Sequence, residues 1–209
     1  MQLNNVRPKK PFFFLKPPSS ILPPQSGPVL RPRGTNLHYE VELGLVMGRT
    51  LVNLPEDDEN AALHSIAGYC VAIDMTARNM QYEAKKKGIP WTEAKGFDTF
   101  LPVSKFITKD KIRDPHRVEL YLGVNGELRQ QDRTGLMLFR IPRILSEISR
   151  VMRLERGDLV LTGTPKGVGE VVVGDIMSAG VSVNGREVEE GKIEVGVEDK
   201  GGLFVYEET

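Results

Sequence analysis

Eight of the fourteen prolines in this 209-residue chain fall within its first 32 positions, at Pro8, Pro11, Pro17, Pro18, Pro23, Pro24, Pro28 and Pro32. Proline removes a backbone donor and clashes with the preceding turn, so no helix runs through this opening. The same stretch has no acidic residue before Glu40 and carries Arg7, Lys9, Lys10, Lys16, Arg31 and Arg33. A basic, acid-free start matches the composition of an organelle transit peptide, but such peptides are amphipathic helices and the prolines forbid one. Extended chain is therefore expected over residues 1–37, laid on a domain that runs from 38 to 209. Phe12-Phe13-Phe14-Leu15 is too apolar for a free tail and is expected to dock on that core as a short strand.

The rest of the chain reads as β-rich. Tyr39, Val41, Leu43 and Leu45 alternate with Glu40 and Glu42, the period of a half-buried strand. Tyr69 to Ile73 is a second short strand. Val118 to Val124 and Glu127 to Gln131 flank Asn125-Gly126, and Val181 to Val183 and Arg186 to Val188 flank Asn184-Gly185, two tight hairpin signals. Helices are expected at 56–66, with acidic charge at the start, at Ala77 to Lys87, closed by Gly88, and along Ile141, Ile144, Leu145, Ile148, Val151 and Met152. With 21 glycines to set beside the prolines, the fold class is a mixed, strand-rich α+β domain with a few short helices around one core. Lysine plus arginine equals aspartate plus glutamate at 28 each, which argues against a general binder of nucleic acid or anionic membrane. No apolar run approaches the ~20 residues of a membrane span. Cys70 is the sole cysteine, so an internal disulfide and a cysteine-based zinc site are both excluded, and it reads as a small buried hydrophobe.

Four segments can carry chemistry. In His38-Tyr39-Glu40-Val41-Glu42 two carboxylates two residues apart share one strand face, with Cα atoms roughly 6.5–7 Å apart, close enough to reach one cation. Hard oxygen donors favour Mg²⁺, Mn²⁺ or Ca²⁺ over zinc; alternatively, the glutamates are the solvated face of an amphipathic strand. Asp74 ends an apolar run and could cap a helix or add a third carboxylate to an open metal site. Lys95, between Ala94 and Gly96, is either a surface lysine or, beside a metal, a cation that holds an anionic substrate. Thr162-Gly163-Thr164-Pro165-Lys166-Gly167-Val168-Gly169 lacks both phosphate-loop spacings. It is either a plain turn or one that holds a carboxylate on backbone N–H groups and a threonine hydroxyl. His64 and His116 read as exposed or merely packed.

Taken in order, these segments resemble the fumarylacetoacetate hydrolase family. The likeness is carried by H-Y-E-V-E-L-G-L-V-M-G at 38–48, G-Y-C-V-A-I-D-M-T-A-R-N-M-Q at 68–81, W-T-E-A-K-G-F-D-T-F at 91–100 and L-T-G-T-P-K-G-V-G at 161–169. F-F-F-L-K-P at 12–17 and K-K-K-G-I-P-W-T at 85–92 point to the acylpyruvase and oxaloacetate decarboxylase branch. The resemblance implies the family's mixed β-roll and a homodimer. It implies Glu40, Glu42 and Asp74 as ligands of Mg²⁺ or Mn²⁺, Lys95 as a catalytic group beside the metal, and Arg78, Gln81 and Thr164 around the substrate. The implied activity is hydrolysis of a 2,4-diketo acid such as acetylpyruvate, or decarboxylation of oxaloacetate through a pyruvate enolate, with enol–keto tautomerisation of oxaloacetate as an alternative. The implied partner is a small 2-oxo or 2,4-dioxo acid, and the implied compartment is mitochondrial or cytoplasmic.

One departure bears on the activity. Members of this branch carry a G-R-N-Y-x-x-H-x-x-E stretch, whose His and Glu activate water, upstream of the segment matching Phe12 to Pro17. This chain begins Met1-Gln2-Leu3-Asn4-Asn5 and has no histidine before His38. The expectation is that the dyad lies in residues upstream of Met1. The alternatives are a naturally shortened product and a metal-binding homologue without catalysis. His38 is the one nearby stand-in for a general base.

Overall fold

The computed structural model describes residues 8–208. In chain order the elements are β1 (Ile21–Leu22), β2 (Val29–Arg31), β3 (Leu37–Tyr39), β4 (Val41–Met47), α1 (Glu59–Ser65), β5 (Ile66–Ile73), β6 (Thr76–Ala77), α2 (Arg78–Lys87), α3 (Thr92–Lys95), β7 (Leu101–Pro102) and β8 (Ile107–Thr108). They are followed by β9 (Val118–Val124), β10 (Glu127–Arg133), α4 (Ile141–Val151), β11 (Leu159–Leu161), β12 (Gly169–Val171), β13 (Ile176–Val183), β14 (Arg186–Glu187) and β15 (Ile193–Asp199). The result is the strand-rich α+β architecture expected from the sequence.

Three sheets build the core. One runs β10-β9-β13-β15-β2, with β14 paired to β13; a second runs β11-β4-β5-β8, and a third β12-β3-β6. Both Asn-Gly turns form as expected. Asn125 and Gly126 take φ of 52° and 81°, and Asn184 and Gly185 take 51° and 75°, the consecutive positive values of a primed two-residue turn. Asp58 caps α1 by accepting from the Ala61 N–H at 2.9 Å, and Gly88 ends α2 in the left-handed region. Helix α4 buries Ile141, Ile144, Leu145 and Ile148, but Val151 in its last turn is 67% exposed and Met152 is its C-cap. The apolar stripe thus stops one turn before the sequence pattern does.

The opening segment is tied to the core, though not where its most apolar stretch lies. β1 pairs in parallel with β7, and β2 pairs in parallel with β15. Phe12 to Leu15, expected as a strand, is extended chain without a sheet partner, and Phe12 and Leu15 are exposed. Flanking Pro11, Pro17 and Pro18 withhold ladder donors, and the stretch docks by ring contact instead: the Phe12 and Phe14 centroids lie 5.5 Å and 5.7 Å from Trp91. Only Phe13 packs on the hydrophobic core.

β4 is a central strand covered on both faces. Its neighbours β5 and β11 pair with it through Val41↔Ile73 to Leu45↔Tyr69 and Leu159↔Val46 to Leu161↔Gly44. Its residues from Val41 to Leu45 are buried without alternation, so neither face is solvated, and Glu42 is buried while Tyr39, Val41, Leu43 and Leu45 fill the core.

Candidate metal centre

Strand register brings the three carboxylates together. β3 stops at Tyr39 and β4 resumes at Val41, leaving Glu40 at the joint. With Val41 opposite Ile73, the residue before Val41 faces the residue after Ile73, and the Glu40 carbonyl accepts the Asp74 N–H at 2.8 Å. Glu42, one pleat further along β4, shares the face. One carboxylate oxygen from each of Glu40, Glu42 and Asp74 lies within 4.8 Å of the other two. Asp74 does not cap α2, whose N-cap is Ala77 with no side-chain capping bond.

Three cationic side chains surround this cluster. Lys95, at the end of α3 and 1% exposed, donates from Nζ to Asp74 Oδ2 at 2.5 Å and to Glu40 Oε2 at 3.0 Å. Lys16, from the opening segment, reaches Asp74 Oδ1 at 2.8 Å and also bonds the carbonyl of Lys95. Arg78 donates to Glu40 Oε1 and to Gln81 Oε1, each at 2.5 Å. The Phe14 ring lies under the Lys95 ammonium at 5.0 Å from its centroid, so the aromatic segment covers this side of the cluster.

The electrostatics set Asp74 and Glu42 apart. Burial alone would raise Asp74, but Lys95 and Lys16 outweigh it and hold the group below the ordinary carboxylate range. Burial would likewise lower Lys95, yet Asp74 and Glu40 overcome it, so the ammonium is kept. Lys16 is lowered, because burial exceeds the attraction of Asp74. Glu42 is the exception. Burial, then Asp74, then Glu40 push it well above the ordinary range, and its direct donor is the Gly163 N–H at 2.5 Å. A buried carboxylate repelled by two others, in a set of donors made only of carboxylate oxygens, fits a hard divalent cation.

The turn at 162–169 is fastened to the same strand. Thr162 Oγ1 donates to the Leu43 carbonyl at 2.9 Å, Gly163 N–H meets Glu42, and Thr164 Oγ1 accepts from Gln130 Nε2 at 2.9 Å. The structure therefore gathers Glu40, Glu42, Asp74, Lys95, Arg78, Gln81 and Thr164 around one locus. Sequence reasoning missed Lys16 and Gln130. Lys16 had a signal, as the only charge in a run of phenylalanines and prolines. Gln130 had none: on β10 it is fully buried while Leu128 is 59% exposed, the reverse of the hydrophobic rule. His38, on β3, is half-buried and lowered to about 4, by burial and then by Arg78, so the ring is neutral near pH 7. His64 bonds the Asn60 carbonyl, and His116 Nε2 accepts the Ile141 N–H at the start of α4. Cys70 is buried, and its thiol is raised to about 12 by that burial.

Residues 1–198 match the family described as Fumarylacetoacetate (FAA) hydrolase C-terminal. The chain belongs to the fumarylacetoacetate hydrolase family. It is 57% identical over 178 residues to the protein of Schizosaccharomyces pombe named oxaloacetate tautomerase oaa1, mitochondrial, covering 85% of this chain and 80% of that one. It is 46% identical over 182 residues to a Dictyostelium discoideum protein named oxaloacetate decarboxylase, mitochondrial, covering 87% and 82%. Among solved structures, a yeast protein described as a member of the fumarylacetoacetate hydrolase family superposes with a TM-score of 0.89 at 38% identity, covering 94% and 89%. A fumarylpyruvate hydrolase from Pseudomonas aeruginosa, solved with Mn²⁺ and pyruvate, superposes at 0.81 with 32% identity, covering 90% and 79%. These family relatives are enzymes, and this chain is an enzyme of the family.

Proposed function

We propose that this fumarylacetoacetate hydrolase family enzyme acts on oxaloacetate, interconverting its enol and keto forms and releasing CO₂ to leave pyruvate. Mg²⁺ or Mn²⁺ is the proposed cofactor, held by Glu40, Glu42 and Asp74. The observation that carries this reading is the charge balance of the locus. Three carboxylates face three cations, Lys16, Lys95 and Arg78, so a bound dication leaves two positive charges to be matched. Oxaloacetate is a dianion, which neutralises them inside a buried site. The names of the S. pombe and D. discoideum relatives support the same substrate.

When bound, the cation supplies Lewis-acid polarisation of the 2-oxo group and the adjacent carboxylate. The chain's own residues do the rest. Lys95 stays an ammonium and places fixed positive charge where oxygen charge develops as the C3 proton leaves or as the C3–C4 bond breaks. In the second case the electron pair of that bond passes to the 2-oxo oxygen, CO₂ departs, and a proton returns to C3. Arg78, oriented by Glu40 and Gln81, binds a substrate carboxylate, and Thr164 donates a hydrogen bond to it.

A second reading, hydrolysis of a 2,4-diketo acid such as acetylpyruvate, is favoured by the likeness to the fumarylpyruvate hydrolase. It needs a base to activate water, a role the branch gives to its His and Glu. A homodimer and a mitochondrial location are also proposed; the names of the relatives support the location. Both activities are tested together: loss of enol-oxaloacetate absorbance and release of pyruvate from oxaloacetate and acetylpyruvate, with Mg²⁺, Mn²⁺ or chelator. Metal-dependent turnover that is abolished by Glu42→Ala is expected. Wild-type rates in that variant overturn the assignment, and a wild type inert on every 2-oxo acid makes the chain a metal-binding homologue without catalysis.

A further inference from the structure

Gln130 is a fully buried amide with a partner for its oxygen and for both of its amide hydrogens. Its Oε1 accepts the Val41 N–H at 3.0 Å, while its Nε2 donates to Thr164 Oγ1 at 2.9 Å and to the Pro165 carbonyl at 2.8 Å. These partners fix the amide in one orientation. Turning it over would set NH₂ against the Val41 N–H and oxygen against the Pro165 carbonyl, two repulsive contacts in place of two bonds. The nitrogen facing Thr164 is therefore a donor, and Thr164 must accept. A hydroxyl has one hydrogen to give. Among the described residues no group accepts the Thr164 hydrogen.

We propose that Gln130 is a positioning residue that holds Thr164 as an obligate hydrogen-bond donor to the anionic end of the bound substrate. Val41 and Glu42 are consecutive on β4, and each is fastened to the turn: Glu42 takes the Gly163 N–H, and Val41 holds Gln130, which holds Thr164 and Pro165. The hydroxyl is thus tied, through Gln130, to the same strand that carries Glu42 and follows directly on Glu40. The strands around Gln130 are shaped for this: β10 shifts register between Leu128 and Gln130, which turns an otherwise exposed strand so that this one amide points inward. Such an arrangement selects acceptors, so a carboxylate or enolate oxygen is favoured and a donor group is rejected. The inference rests on the proposed reading of the site as one for a 2-oxo acid.

Gln130→Glu keeps the shape and the acceptor for Val41 but offers Thr164 an acceptor instead of a donor, so the threonine hydrogen turns away from the substrate. The expected result is a KM for oxaloacetate raised roughly tenfold to a hundredfold, the range for losing a hydrogen bond to a charged group, with kcat changed by less. Gln130→Met, which removes the donor without adding an acceptor, is expected to raise KM by a smaller factor. Thr164→Val should match Gln130→Glu, and the double variant should be no worse than Thr164→Val alone, whereas a merely structural role gives effects that multiply. Multiplying effects, an unchanged KM in folded Gln130→Glu, or failure of both Gln130 variants to fold overturns the proposal. A wild type inert on every 2-oxo acid instead overturns the functional reading beneath it, so the two failures are distinguishable.

Discussion

Glu42→Gln separates a residue kept for metal from one kept for the fold. Glu42 lies buried with an oxygen of Asp74 and of Glu40 inside 4.8 Å. At an effective dielectric near 20, one like-charge pair at that distance costs about 3.5 kcal/mol. The Gly163 N–H and then Lys95 offset part of the two pairs, which leaves a net penalty of roughly 2–3 kcal/mol. Glutamine preserves the shape and the acceptor for Gly163 N–H, and it turns amide hydrogens toward the remaining carboxylates. In chelator at pH 8 the variant is therefore expected to melt about 4–10 °C above wild type. Divalent metal at a hundred times its Kd should raise wild type by about 2.7 kcal/mol, or roughly 5–10 °C, and should leave the variant almost unmoved. Thermal denaturation with chelator and with saturating MnCl₂ gives all four values. A variant that melts below wild type in chelator yet still gains stability from Mn²⁺ refutes the reasoning, because it would make Glu42 a structural acceptor and place the ion elsewhere.

Lys95→Met leaves Asp74 with Lys16 and Glu40 with Arg78, so the loss should sit near the low end for a broken buried pair, about 3 kcal/mol, with turnover down at least a hundredfold; wild-type kcat would refute it. Gly167 has φ +101°, and a Cβ there would lie 2.1 Å from the Arg129 carbonyl, so Gly167→Ala should push the 162–169 turn off β10 at a cost of roughly 2–4 kcal/mol, and an unchanged melting temperature would contradict that. His38 is lowered to about 4, so between about 6.5 and 4 the unfolded chain binds its proton first and stability falls as the pH falls. The unscreened effect is about 3 kcal/mol, and exposure of the ring reduces it to roughly 1–2 kcal/mol. His38→Gln should flatten this slope in urea titrations at pH 7 and pH 4.5, and an identical slope would exclude His38 as its source.

What the sequence makes legible here is what the chain encodes within a few residues. The Asn-Gly hairpins, the Asp58 cap and the Gly88 stop each depend on local backbone geometry, and each forms where its residues place it. The carboxylate cluster is a harder case: Glu40 and Glu42 share a face by local alternation, but Asp74 joins them only through the Val41↔Ile73 register. Without that pairing a solvated strand face is the simpler account of the glutamates, and only the order of the motifs points to one site. Lys16 and Gln130 lie beyond this reach. Lys16 enters the cluster from 58 residues before Asp74, along an extended segment whose most apolar stretch makes no strand at all. Gln130 occupies an inward position on a strand that is otherwise polar and exposed, where alternation would put a hydrophobe. Both are charged or polar groups buried at a cost that only partners distant in sequence can offset. Burial of this kind leaves no periodic trace, because periodicity reports the hydrophobic effect and these residues are held against it. The composition carries the same lesson: a net charge of zero over 209 residues conceals a site in which three formal negative charges are matched in number by three positive ones, with Glu42 alone outside the ion pairs, and a dication and a dianion can enter together without changing that total.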